Sequence, residues 1–208
     1  MAEVEPGPRL TTLPNLLGIS RIVATPVVIV LLLAPFPGAG LLAFAVFVLA
    51  ALTDVLDGRI ARARGQVSPL GVFMDLTADK VLVAGVLVAM VEVGLLPTWM
   101  VALLLIREFV VQGVRQVAAS ADVVIAARRL GKGKTLATTV GIALLLLAFD
   151  ATTGGPVASL GLGPTWRLAG VWVMILATFL SVVSGWSYIR GALPLLLGRS
   201  GESPHRPT

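Results

Sequence analysis

The sequence predicts an all-α, polytopic membrane protein with six transmembrane helices. Three observations predict it. First, 57% of the 208 residues are apolar and 13% are charged, with a mean hydropathy of +0.96. Soluble domains run at roughly 45–50% apolar and about 25% charged. Second, the chain carries no charge from Ile22 to Thr53, and further apolar stretches follow. Six crossings of about 20 residues each take about 120 residues and leave only short loops. Third, Lys and Arg gather on one side of the predicted spans. A soluble enzyme and a membrane-anchored soluble domain are both excluded. Residues 1–197 read as a single membrane domain, with 1–12 as a polar N-terminal arm and 198–208 as a disordered tail.

The arm carries Glu3 and Glu5 where a secretory signal would be positively charged, so no cleaved signal is expected. Residues 9–17 are expected along the membrane surface. Helix one is predicted from about Pro14, a residue tolerated in a first turn, to Ala34. Pro35, Pro37, Gly38 and Gly40 break the apolar run. Helix two then runs from about Leu41 past Asp57 into the Ala61–Arg64 stretch. Ser68 and Pro69 look like the cap and first turn of helix three, which reaches about Val93. Leu96-Pro97 restarts the chain into helix four, about Thr98–Ala119. A basic loop, Ala127–Lys134, precedes helix five, about Thr135–Phe149. Asp150–Pro164, rich in Gly, Thr and Pro, reads as a loop, and helix six runs from about Thr165 to Ile189. The four Trp read as anchors at the interface.

Charge asymmetry orients the bundle. The turns at 34–41, 92–97 and 150–165 hold no Lys or Arg, whereas Arg9, Arg59, Arg62, Arg64, Arg115, Arg128, Arg129, Lys132, Lys134 and Arg190 fall on the other side. The positive-inside rule puts that side and both termini in the cytoplasm, which requires an even number of spans. The same rule accounts for the net charge of +5, and with 6% aromatics there is little to stack on bases, so no nucleic-acid partner is expected. Cysteine is absent, which excludes a disulfide framework and a thiolate metal site.

Asp54, Asp57, Asp75 and Asp79 interrupt otherwise apolar helices. An ionisable group within a span costs about 2.5–3.5 kcal/mol on insertion scales and usually marks function. On a helix, Asp54 and Asp57 lie about 60° apart and Asp75 and Asp79 about 40° apart, so each pair shares a face. A short connection sets the two faces against each other near the cytoplasmic end. Unpaired, four carboxylates would repel one another or protonate. Divalent cations with oxygen ligands resolve this, and without Cys a hard ion such as Mg²⁺ or Mn²⁺ is favoured over zinc. The alternative is a set of salt bridges to Arg59, Arg62, Arg64 and Lys80. Gly58, in mid-helix, would let a ligand approach the backbone.

The pattern Asp54-x2-Asp57-Gly58-x2-Ala61-Arg62-x8-Gly71-x3-Asp75-x3-Asp79 resembles the signature of the CDP-alcohol phosphotransferases, with all eight fixed positions present. The resemblance implies a six-helix membrane enzyme, usually a homodimer, that moves a substituted phosphate from a CDP-linked donor to an alcohol and releases CMP. It implies that Asp54, Asp57, Asp75 and Asp79 hold two Mg²⁺ or Mn²⁺ ions and that Asp79 is also the general base. Asp57, Gly58, Ala61, Arg62 and Gly71 would then bind the donor, with Arg62 on its phosphate oxygens. Two such ions suit the bridging of a diphosphate and an in-line displacement at phosphorus.

Arg107-Glu108-Phe109 with Arg115, and Leu130–Thr135, resemble the branch of that family using CDP-diacylglycerol and glycerol 3-phosphate in a bacterial-type inner membrane. The resemblance covers roughly residues 13–150; Gln112 and Thr138 depart from the branch's pattern. Cations suit an acceptor that itself carries a phosphate, so Arg107, Arg115, Lys132, Lys134 and Arg21 are its candidate ligands. The plain alternatives are positive-inside loops and, for Arg107, a pair with Glu108. Gly133-Lys134-Thr135 mimics the end of a P-loop, but Arg128 stands where the first glycine belongs. Transfer to inositol phosphate or to phosphatidylglycerol, the latter giving cardiolipin, is the alternative within the family. A divalent-cation transporter is the alternative from another class.

Overall fold

The computed structural model describes the backbone of residues 13–64, 69–120 and 129–196, and the side chains of 18–53, 77–120 and 133–193. The described residues form six α-helices and no strand: α1 (Leu13–Leu33), α2 (Ala39–Arg64), α3 (Pro69–Glu92), α4 (Thr98–Ser120), α5 (Arg129–Thr152) and α6 (Gly163–Leu196). The arm, the connections 65–68 and 121–128, and the tail lie outside them. The all-α class and the six helices agree with the sequence reading, and the first four agree to within about two residues, the usual scatter at helix ends.

Two boundaries are corrected. Helix five starts at Arg129, six residues before the expected Thr135, so Lys132 and Lys134 lie in its first turns and not in a loop. No proline interrupts residues 129–152, and the glycines at 131 and 133 weaken a helix without breaking it. The expected loop Asp150–Pro164 holds the last residues of α5, a 3₁₀ turn at Pro156–Leu160 and the start of α6 with Pro164 in its first turn. Helix six also continues past Ile189 to Leu196.

The helices pack as two groups of three. In one, α1 lies against both α2 and α3; in the other, α6 lies against both α4 and α5. Helix α2 packs on α5 across the seam, whereas α3 and α4, joined by the turn after Glu92, touch only sparsely. Buried side chains fill the interior from both sides: Val28, Leu32, Phe47, Leu82, Met90, Met100, Leu145, Leu146 and Met174. The outside is equally apolar. Val30, Leu49, Leu52, Val88, Leu168, Trp172 and Phe179 are all more than half exposed. An apolar surface this extensive has no place in water. Gly133–Thr152 and Gly163–Leu193 are each long and apolar enough to cross a bilayer.

One buried carboxylate fastens the end of the bundle opposite the basic connections. Asp150 is fully buried in the last turn of α5. Its Oδ1 accepts the Leu41 N–H at 3.0 Å and its Oδ2 the Val157 N–H at 3.1 Å. Both donors sit at the start of a helical segment, where N–H groups have no intrahelical partner and favour negative charge. The contact demands glycine: a Cβ on Gly155 would lie 2.2 Å from Asp150 Oδ1, and one on Gly40 2.3 Å from the Asp150 nitrogen. Asp150→Ala strands two buried N–H groups and should lower unfolding free energy by about 2–4 kcal/mol. The check is the thermal midpoint in detergent; an unchanged midpoint would show that the clasp is dispensable.

Candidate active site

Helices α3, α4 and α5 line a half-open cavity. Each helix contributes one face. Asp79, Lys80, Val83, Ala84 and Leu87 follow the helical repeat along α3, as do Leu104, Leu105, Glu108 and Phe109 on α4, and Lys134, Thr135, Thr138 and Thr139 on α5. Charge collects at one level, where Asp79, Lys80, Glu108 and Lys134 lie, and the wall beyond is aliphatic on α3 and α4 and threonine on α5. A site with a charged end and an apolar wall suits a molecule that is itself divided in this way.

Glu108 is the centre of the charged level. Its Oε1 accepts from Lys80 Nζ at 2.9 Å, and its Oε2 accepts from Lys134 Nζ and from Arg107 Nη1, the latter at 3.2 Å. Three cations from three helices thus meet on one carboxylate. Arg107 is pinned further: Nε donates to the Ser181 carbonyl at 3.0 Å and Nη2 to Ser184 Oγ at 2.8 Å. Gly185 leaves room for it, since a Cβ there would lie 2.8 Å from Arg107 Cγ. Lys134 is set by its own helix, and the buried Thr138 hydroxyl donates to the Lys134 carbonyl at 3.0 Å. The ring of contacts ties α3, α4, α5 and α6 together beside the cavity.

The predicted site residues fall into three groups. Asp79 and Lys134 line the cavity. Arg107 reaches Glu108 but is bound mainly to α6 and does not line the cavity; Arg115, exposed on α4, and Arg21, buried on α1, do not line it either. Asp54, Asp57, Gly58, Ala61, Arg62, Gly71, Asp75 and Lys132 lie on described helical backbone, but their side chains are outside the described residues. Helix α2 is continuous through Asp54 and Asp57, and α3 through Asp75 and Asp79, and the two helices are in contact. Continuous helix keeps each acidic pair on one face, so an all-oxygen donor set on adjoining helices fits hard divalent ions.

Sequence reading overlooked Lys80 and Glu108 as members of the site. Glu108 was noticed only as a neighbour of Arg107, and adjacent residues on a helix do not face each other. The signal that could have found both is a charge of each sign within two apolar spans, which demands a partner on another helix.

Comparison with known proteins adds an independent line. The family model described as CDP-alcohol phosphatidyltransferase matches residues 11–183. A CDP-diacylglycerol–glycerol-3-phosphate 3-phosphatidyltransferase of Bacillus subtilis is 38% identical over 85% of this chain and 92% of its own length. One of the same name from Rickettsia bellii is 34% identical over 86% of this chain and 93% of its own. A probable phosphatidylglycerophosphate synthase of Mycobacterium tuberculosis is 36% identical over 89% and 83%.

Arg107→Lys removes the forked contact to Ser181 and Ser184, because an ammonium is a point donor and cannot span both. Thermal unfolding in detergent should show a loss of about 1–3 kcal/mol. A variant as stable as the parent would mean that the α4–α6 contact does not depend on the guanidinium.

Proposed function

This chain belongs to the CDP-alcohol phosphatidyltransferase family, and from that premise we propose that it transfers the phosphatidyl group of CDP-diacylglycerol to glycerol 3-phosphate. The products are phosphatidylglycerophosphate and CMP. The observation that carries the reading is the cavity itself: Asp79 stands at a charged level with two lysines and a glutamate, below an aliphatic wall. The donor has two acyl chains and a diphosphate, and the acceptor has a phosphate and a hydroxyl. Relatives sharing 32–38% of their residues over most of the chain carry the name of that reaction.

The chain would cross the membrane six times as a homodimer, with both termini and the active site on the cytoplasmic face of a bacterial-type inner membrane. The donor would enter sideways from the lipid, and the acceptor from the cytoplasm. Asp54, Asp57, Asp75 and Asp79 would hold two Mg²⁺ or Mn²⁺ ions. Bound there, divalent ions supply charge neutralisation to the diphosphate and to the departing CMP. Asp57, Gly58, Ala61, Arg62 and Gly71 border the donor in this reading, with Arg62 on a phosphate oxygen.

Asp79 takes the proton from the acceptor hydroxyl that lies remote from its phosphate. That oxygen bonds to the phosphorus bearing the diacylglycerol, the bond from this phosphorus to the bridging oxygen breaks, and CMP leaves with the electron pair. Lys134 is the acceptor ligand best supported by position, since it lines the cavity with Asp79. Arg107 stays in the acceptor set indirectly, through Glu108. Arg115, Lys132 and Arg21 stay in the set by charge and by the family resemblance. An inositol phosphate would also satisfy a phosphate seat, and the panel below distinguishes the two.

Membranes containing the protein should release CMP from CDP-diacylglycerol when given glycerol 3-phosphate, and not when given inositol phosphate or phosphatidylglycerol. Consumption of either alternative acceptor alone would overturn the assignment. Asp79→Asn should cut turnover with every acceptor by about 10²–10⁴, the usual contribution of a general base. Turnover should also vanish on chelation and return with Mg²⁺ or Mn²⁺. Activity that survives exhaustive chelation would exclude the four-aspartate metal site.

A further inference from the structure

Sequence and family pattern give Arg107, Arg115, Lys132, Lys134 and Arg21 as candidates for the acceptor's phosphate, and among the described residues the charged side chains that border the cavity beside Asp79 are Lys80, Glu108 and Lys134. We infer that Lys80 is a ligand of the acceptor phosphate and that Glu108 is the positioning residue that holds Lys80 and Lys134 in place for it. The inference rests on the proposed function and names the seat that this function requires.

Glu108 draws Lys80 from α3 and Lys134 from α5 to its two oxygens. Without it the two ammonium groups, joined by the Arg107 guanidinium, would repel one another and turn apart. With it they are fixed on opposite sides of one carboxylate. An ammonium carries three N–H donors, and one from each lysine serves Glu108, which leaves donors on both for a second anion.

The charge agrees. Three cations on one carboxylate leave an excess of two positive charges. A phosphate monoester carries about −1.5 to −2 at neutral pH. Asp79, which the proposed function gives to the divalent ions, is left out of that sum. A neutral alcohol would leave the excess uncompensated in a poorly hydrated site, so the cluster selects against it. Lys80 also follows Asp79 directly in α3, and both residues line the cavity.

The test is a steady-state comparison of the full-length protein with Glu108→Gln, Glu108→Asp, Lys80→Met and Lys80→Arg, varying glycerol 3-phosphate and CDP-diacylglycerol in turn. Glu108→Gln and Lys80→Met should each raise the glycerol 3-phosphate KM at least about tenfold, the equivalent of one lost charge-assisted hydrogen bond. The donor KM should stay within about twofold, and Glu108→Asp and Lys80→Arg should recover part of the loss. Inhibition by inorganic phosphate should weaken in parallel. Equal rises in both KM values, or an unchanged acceptor KM, would overturn the inference. Should Glu108→Gln fail to accumulate, Lys80→Met decides alone, because Glu108 keeps Arg107 and Lys134 in that variant. The parent protein tests the functional reading separately: if it ignores glycerol 3-phosphate, the reaction is misassigned whatever the variants do.

Discussion

A charge within hydrocarbon must meet its opposite inside the protein, and that constraint shapes the middle of this molecule. Glu108 meets it with three cations, one from each of α3, α4 and α5, and Arg107 extends the network to α6. Removing one partner of such a cluster leaves the others uncompensated, which costs more than the contact itself contributes. The cluster therefore does more than join helices. It fixes the level of these polar groups along the helices. The aliphatic wall of the cavity begins where the charges end.

Much of this was legible in the sequence. Lack of charge over long stretches announced the spans, and Pro or Gly between them announced the breaks. The four aspartates stood out because they interrupt otherwise apolar helices in two pairs, each pair sharing a face. Family and reaction class followed from one spacing pattern, and the similarity to curated relatives supports both. Where helix five begins was misread because a cluster of Arg, Lys and Gly looks like a loop, whereas straight-chain basic residues are good helix formers. Asp150 was misread for the opposite reason. Beside Thr, Gly and Pro it looked like turn chemistry, yet it is fully buried and bound to two backbone N–H groups. No local pattern reveals a partner 109 residues away in the chain. Glu108 was hidden by the same rule, since its partners Lys80 and Lys134 come from other helices.

Arg107 shows how much of a residue's surroundings lies beyond its own helix. Sequence makes it a candidate phosphate ligand, with a pair to Glu108 as the alternative. In the structure three of its five N–H donors go to Ser181, Ser184 and Glu108, and Gly185 shapes the space around it. Its contribution to the site is the placement of Glu108. The serines that hold it lie on α6 and were invisible to a reading that followed one helix at a time.

The division of the bundle into two groups of three helices has a mechanical result. Every backbone hydrogen bond of a helix is internal to it, so helices can part within lipid without stranding a peptide group. The line between α3 and α4 is sparsely packed and is crossed there by a single side-chain bond, Lys80 to Glu108, among the described contacts. At the far end Asp150 rivets α5 to α2. The two groups are thus fastened at both ends, by a carboxylate gripping backbone at one and by lysine meeting glutamate at the other.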